Sequence, residues 1–147
     1  MFIPKNLELY EIVPKSVYDM YPVYGEKMWM MFDDRLLRTY DMIRKKYGPA
    51  YLNNWYWGGL REERGYRLLD TTTGSPFSQH KFGRAFDMTF RDYFVEEVRK
   101  DILSSPNSIT FQYIACVEMD VGWLHIDTGN RFRISRQEGF IQKVYLV

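Results

Sequence analysis

The longest regular pattern in the sequence is a helical repeat of apolar residues from Gly25 to Tyr47. Its apolar positions recur at spacings of three and four residues, and Gly48-Pro49 supplies a stop. A helix with one apolar face must bury that face against another element. The positions on this face are Met28, Met31, Phe32, Leu36, Tyr40 and Ile43.

Shorter patterns follow this helix. A second amphipathic stretch predicts a helix over Tyr93–Leu103, and apolar or aromatic runs predict strands. The order of these elements predicts an α+β domain in which helices pack on a mainly antiparallel sheet. The predicted strands are Leu52–Trp57, Ala85–Phe90, Ser108–Val117, Val121–Asp127 and Phe140–Val147.

The length of 147 residues is that of one domain, so we expect residues 1–147 to share a single core. Pro4, Pro14 and Pro22 interrupt the first residues. This spacing predicts that residues 1–24 form an extended N-terminal arm lying on the domain.

The charge balance argues against several classes of partner. Twenty basic and nineteen acidic side chains give a net charge of +1, which provides no field for nucleic acid. No apolar run is long enough for a membrane span, and we expect no secretion signal.

The single cysteine, Cys116, lies in an apolar stretch and is expected to be buried. The oligomeric state is left open.

Aromatic side chains make up 18% of the residues, which favours a core of large rings and a ring-lined groove. The segment Trp55-Tyr56-Trp57 and the nearby Tyr66 are either part of this core or a wall for a glycan or peptide ligand.

The two histidines, His80 and His125, lie in the most informative segments. Imidazole and carboxylate are the donors of catalytic zinc sites, which have three protein ligands and one open position. His80, Asp87 and His125 are therefore candidate Zn²⁺ ligands. In a strand, Ala85 and Asp87 share a face, and so do His125 and Asp127.

The surrounding residues form a known motif. Ser78, His80, Gly83, Ala85 and Asp87 reproduce the pattern SxHxxGxAxD, and Trp123–Asp127 is similar to a second zinc motif. From Trp55 to Gly129 the chain resembles the zinc D-alanyl-D-alanine carboxypeptidase and peptidoglycan endopeptidase family, which includes many bacteriophage endolysins. The resemblance implies the fold shared by hedgehog domains and these peptidases, with His80, Asp87 and His125 as ligands of Zn²⁺.

The resemblance also implies an arginine that steadies the substrate carbonyl oxygen as charge develops on it. Family members place it in a Gly-Tyr-Arg sequence before the first histidine, which Gly65-Tyr66-Arg67 matches. Arg67 is therefore the predicted catalytic arginine, and Arg61 is the substitute. Both arginines are alternatively surface partners of Glu62 or Glu63.

The sequence departs from the family at the general base. Many members have glutamate three residues before the second histidine, where this chain has Gly122. Asp120, Glu118 and Asp127 are the nearby carboxylates, and Asp120 is favoured. Asp127 is also placed to orient a ligand imidazole.

The predicted function is a zinc-dependent peptidase that hydrolyses peptidoglycan stem-peptide or cross-link amide bonds. This function fits a phage lysis protein in the host cytoplasm or a wall hydrolase in the virion. The first alternative is a zinc-binding structural or wall-recognition domain without turnover. The second is a carbohydrate-binding domain, independent of zinc, built on the aromatic loop. Which peptide bond is cleaved is left open.

Overall fold

The computed structural model describes residues 1–129 and the strand segments 136–138 and 141–145. In these segments, antiparallel strands form one sheet in the order β1-β2-β4-β3-β6-β5. Helices accompany the sheet, so the predicted α+β class is confirmed. The strands are β1 Ala50–Tyr51, β2 Ala85–Phe90, β3 Cys116–Glu118, β4 Leu124–Asp127, β5 Arg136–Glu138 and β6 Ile141–Tyr145.

The α-helices are α1 Lys15–Tyr18, α2 Tyr21–Tyr24, α3 Asp34–Tyr47 and α4 Val95–Ser104. The helix predicted from Gly25 to Tyr47 is two elements, because residues 25–31 form a 3-10 helix and the backbone is extended at Phe32. Asp33 begins the second element as an N-cap, since its carboxylate accepts the Arg35 backbone N–H at 2.8 Å.

The core lies between α3, α4 and one face of the sheet. Phe86 and Met88 of β2 and Leu124 and Ile126 of β4 are buried in it. The Tyr40 ring meets the Phe86 ring edge-on, with centroids 5.6 Å apart. The alternating residues of β2 and β4 face the other way, as predicted, so the polar side chains of these strands share the opposite face.

The N-terminal arm is not extended as predicted. It contains a 3-10 turn at Leu9–Glu11 followed by α1 and α2, and Pro22 occupies the first turn of α2, where a proline costs no hydrogen bond. The arm is fastened to the domain, because Asn53 and Trp55 both donate side-chain N–H groups to the Val13 carbonyl.

Several predicted strands have other boundaries. Residues 55–57 form a 3-10 turn that ends at Gly58 in the left-handed region, so the strand predicted at Leu52–Trp57 is wrong. Most of Ser108–Val117 consists of turns in which the Ser108 carbonyl accepts N–H groups from Phe111 and Gln112. In the predicted strand Phe140–Val147, residues 140, 146 and 147 lie outside the described residues.

Cys116 is buried, as predicted. Among the residues described, no helix is both long enough and apolar enough to cross a membrane.

Candidate metal centre

Asp87 and His125 lie side by side on neighbouring strands. The antiparallel register of β2 and β4 pairs Asp87 with His125 and Ala85 with Asp127. Because paired residues in a sheet point to the same side, the Asp87 carboxylate and the His125 imidazole meet on the face opposite the core.

His80 reaches the same place from the 3-10 turn Gln79–Phe82, which directly precedes β2. Gly83 ends this turn with a φ of 65°, a conformation that favours glycine. A Cβ atom at Gly83 would also collide with the Met31 carbonyl oxygen. The Gly83 carbonyl accepts the Asp33 N–H at 3.0 Å, so the start of α3 fixes the turn that carries His80.

The three predicted ligands converge, and all three are buried. His80 Nε2 lies 3.3 Å from His125 Nδ1 and 3.3 Å from Asp87 Oδ1, and the last two atoms are 2.7 Å apart. Two ligands of one tetrahedral zinc ion, at bond lengths of about 2.0–2.1 Å, lie about 3.3 Å from each other. The donor set and its spacing therefore fit a zinc ion, and the group can hold a metal.

Each ligand has an orienting partner on its far side. His80 donates its Nδ1–H to the Gly65 carbonyl at 2.7 Å, which leaves the Nε2 lone pair directed at the cluster. Asp87 Oδ2 accepts Arg67 Nη2 at 2.8 Å. His125 Nε2 lies 3.7 Å from Asp127 Oδ2, and the other Asp127 oxygen accepts the Gly129 N–H at 3.0 Å.

The electrostatics of the cluster favour a cation. Burial lowers the pKa of His80, so its imidazole is neutral. Burial alone would raise the pKa of Asp87, but the two imidazoles hold that pKa well below its usual range. Burial alone would lower the pKa of His125, yet Asp127, Asp87 and Glu118 raise it to about 10. Positive charge is thus stabilised between these carboxylates.

The predicted arginine, Arg67, reaches the cluster. Its Nε donates to the Glu63 carbonyl at 2.7 Å and its Nη2 to Asp87, so it does not form the predicted surface pair with Glu62 or Glu63 side chains. Arg61, the substitute, is exposed, and no ion pair within 4.0 Å joins it to the ligands in the described part of the chain.

Glu118, one of the three proposed bases, lies beside the ligand atom His125 Nδ1. Its Oε2 lies 4.0 Å from His125 Nδ1, and its side chain is 12% exposed. The pairing of Val117 with Ile126 places Glu118 beside His125 on the same face of the sheet. Asp120 is exposed in the turn after β3 with a φ of 60°, and within residues 1–129 no ion pair joins it to either histidine.

Gly122 takes the position of the missing glutamate. It lines a cavity of about 420 Å³ together with Phe94 and Arg99. A Cβ atom at Gly122 would meet nothing within 4 Å. The backbone therefore has room for a side chain at this position. Packing does not require glycine at residue 122.

Sequence reasoning missed Arg64. Its guanidinium carbon lies 4.8 Å from the centroid of the Trp123 ring, and its carbonyl accepts the Asp87 N–H at 2.8 Å. The run 61–67 contains three arginines, which indicates a basic segment near the first histidine. The sequence does not show which of them contacts Trp123, and only the folded chain does.

The aromatic loop belongs mostly to the surface. The Tyr56 ring stacks on Tyr10 of the arm at 4.0 Å, and Trp57 is 61% exposed. Tyr66 instead packs against the core ring of Phe32, with centroids 6.3 Å apart. Core packing therefore applies to Tyr66, whereas Tyr56 and Trp57 lie at the surface, and their role as a wall for a ligand stays a prediction.

Comparison of the chain with family models, with curated proteins and with solved structures finds no match in any of the three. The family resemblance therefore rests on the motif residues themselves, and the hedgehog-like fold stays a prediction.

Proposed function

We propose that this chain is a zinc-dependent peptidase that hydrolyses amide bonds of peptidoglycan stem peptides or cross-links. The observation that carries the proposal is the convergence of His80 Nε2, Asp87 Oδ1 and His125 Nδ1 at 2.7–3.3 Å. A zinc ion bound there would polarise the scissile carbonyl and lower the pKa of a water molecule.

The groups around the ligands orient the two imidazoles and stabilise negative charge on the substrate. The Gly65 carbonyl keeps the His80 proton on Nδ1, and Asp127 orients the His125 ring from the Nε2 side. Arg67 is fixed through Nε and Nη2. Its Nη1 makes no hydrogen bond to the described residues and is available to donate to the carbonyl oxygen as negative charge develops on it.

Glu118 is the favoured proton acceptor. Its position, 4.0 Å from a ligand nitrogen on the same sheet face, suits a carboxylate that takes a proton at Oε2 and returns it to the leaving amine. The turn position of Asp120, which the sequence favoured, is less suited. Asp127 is engaged with Gly129 and His125, which fits an orienting role.

The test uses purified sacculi of several wall types, incubated with the zinc-supplemented protein with and without a chelator. The expected result is chelator-sensitive release of peptides, and their masses identify the cleaved bond. Absence of any chelator-sensitive release from every wall type would overturn the peptidase proposal.

A metal-binding domain without turnover is the second candidate. The observation in its favour is Gly122, which leaves the usual base position without a carboxylate. This candidate predicts stoichiometric zinc and retention on sacculi with no released peptide. A phage lysis or virion context belongs to the peptidase proposal and is tested by the same release assay.

A further inference from the structure

Arg64 and Trp123 form a cation–π pair beside the candidate metal centre. The guanidinium carbon of Arg64 lies 4.8 Å from the centroid of the Trp123 ring. The Arg64 carbonyl accepts the backbone N–H of Asp87 at 2.8 Å, and Trp123 precedes His125 by two residues. The pair is therefore fixed to both strands that carry ligands.

Both members of the pair have a buried N–H donor without an acceptor. Arg64 Nη1 and Trp123 Nε1 make no hydrogen bond within the described segments of the chain. An unpaired buried donor is unfavourable for the folded state, and buried charges in proteins are normally paired. Each side chain as a whole is only partly buried, so other atoms of the pair are in contact with solvent although these two nitrogens are not.

The neighbouring carboxylates are already engaged. Asp87 accepts from Arg67 and faces both imidazoles, and Asp127 accepts from Gly129. In residues 1–129, no carboxylate lies within 4.0 Å of the Arg64 guanidinium, whereas Arg67 is paired with Asp87. The acceptor that suits Arg64 must therefore come from outside these residues.

We propose that Arg64 and Trp123 bind a carboxylate of the peptide substrate and so select substrates that carry one near the scissile bond. This inference rests on the proposed peptidase function. A carboxylate is a pure acceptor with negative charge, and it matches the planar guanidinium better than a neutral amide does. The cation–π contact with the indole holds the guanidinium in place and lowers the cost of ordering it.

A stem peptide carries two such carboxylates, one at its C-terminus and one at the α-carbon of its γ-linked D-glutamate. The probe is the synthetic pentapeptide L-Ala-γ-D-Glu-L-Lys-D-Ala-D-Ala. Matched forms have the C-terminal carboxylate, the glutamate α-carboxylate or both converted to amides. Each peptide is titrated into the full chain with one equivalent of Zn²⁺. Calorimetry gives the affinity, and the indole N–H signal of Trp123, assigned with Trp123→Phe, reports contact.

The expected result is that the diacid binds at least about 10-fold more tightly than one of the monoamides. This ratio is the effect expected from loss of one charge-assisted hydrogen bond. The monoamide that binds weakly identifies the source. The diacid also shifts the Trp123 indole signal. Equal affinities for the diacid and the diamide, or an indole signal that does not move, would overturn the inference.

Variants locate the effect in the pair. Arg64→Gln should reduce the acid-to-amide affinity ratio to within about 2-fold, and Trp123→Phe, which keeps an aromatic ring but lacks the N–H, should give an intermediate ratio. Arg61→Gln, in the same loop, is the matched control and should keep the wild-type ratio. An unchanged ratio in Arg64→Gln contradicts the inference. If Arg64→Gln does not fold, Trp123→Phe and the wild-type titrations decide.

Hydrolysis of the same peptides separates this inference from the proposed function. Carboxylate-dependent binding, with no chelator-sensitive hydrolysis of these peptides or of sacculi of any wall type, supports the Arg64 inference and contradicts the peptidase proposal. Hydrolysis at equal rates, with equal affinities for acid and amide, supports the peptidase proposal and contradicts the inference.

Discussion

The Nδ1 nitrogen of His80 lies 2.7 Å from the carbonyl oxygen of Gly65. Gly65 itself is packed against the N-terminal arm, because a Cβ atom at this position would collide with the backbone of Ile12. The next residue, Tyr66, donates its backbone N–H to the Ile12 carbonyl at 2.6 Å. The arm thus positions the carbonyl that orients a candidate metal ligand.

Replacing Gly65 with alanine should disturb both stability and metal binding. The added methyl group must displace the Ile12 backbone, at a cost of about 1–3 kcal/mol in the free energy of unfolding. Because the Gly65 carbonyl moves with it, zinc affinity should fall about 10- to 100-fold. Urea unfolding and a zinc-indicator competition assay measure the two effects. Gly122→Ala is the control and should change stability by less than about 0.5 kcal/mol, since a Cβ there is unobstructed. Equal behaviour of the two variants would contradict this account.

The three ligands should each be required for metal binding. His80→Gln, Asp87→Asn and His125→Gln each remove a donor, so we expect zinc content measured by mass spectrometry to fall from about one ion per chain to near zero. Added zinc should raise the melting temperature of the wild type but not of these variants. Asp70→Asn, at an exposed carboxylate, should keep full zinc content. A ligand variant that binds zinc like the wild type would remove that residue from the site.

Substitution of Glu118 and of Asp120 should have different effects on the rate, which tests which carboxylate is the proton acceptor. Glu118→Gln preserves the shape of the side chain but removes its basicity, and we expect peptide release to slow at least about 100-fold with zinc content unchanged. Asp120→Asn should keep the wild-type rate, because Asp120 is exposed in the turn. The reverse outcome would restore Asp120 as the base.

Arg67 should matter for the reaction more than Arg61 does. Arg67→Gln removes the cation that contacts Asp87, and we expect the rate of peptide release to fall about 100- to 1000-fold, as when one oxyanion donor is lost. Arg61→Gln is the matched control in the same loop. Rates and zinc content are measured together, so that loss of metal is distinguished from loss of the donor. A normal rate in Arg67→Gln would contradict the catalytic assignment.

Asp33 should make stability depend on acidic pH. Burial alone would raise its pKa, but the side-chain and backbone hydrogen bonds from Arg35 lower it below the ordinary 3.8. The folded state therefore favours the charged form, and this stabilisation is complete above pH 3.8 and is lost as the pH falls through the lowered pKa. Asp33→Asn keeps a capping side chain that does not titrate, and it should be less stable than the wild type by about 0.5–1 kcal/mol at pH 7. Urea midpoints from pH 7 to pH 2 should show this gap closing in acid, whereas a constant gap would contradict the assignment.

The ligand set was predictable because it is encoded locally. His80, Gly83 and Asp87 lie within one turn and one strand, and the alternation of a strand places Asp87 opposite the core whatever the rest of the fold does. His125 needed only the same rule on a second strand. The structure confirms that these residues form a buried group that can hold a metal.

The position of Glu118 was harder to predict, because the residues that form β3 are decided by the strands with which it pairs. Read alone, Ser108–Val117 has no feature that places the strand at Cys116–Glu118 or directs Glu118 toward His125. The pairing of Val117 with Ile126 decides both, and it is a contact between segments that the sequence does not order. The break before α3 had a local signal, since Asp33 is a typical N-cap, but the apolar repeat continued across it.

The pairing of Asp87 with His125 also bears on how the sheet finds its alignment. If β4 slipped by one residue against β2, His125 would turn into the apolar layer and Ile126 would turn toward water, while Asp87 stayed on the opposite face. The same slip would separate the metal donors, so a misaligned sheet loses its hydrophobic burial and its ion together. A bound ion would thereby stabilise the native register of β2 and β4 over a slipped one.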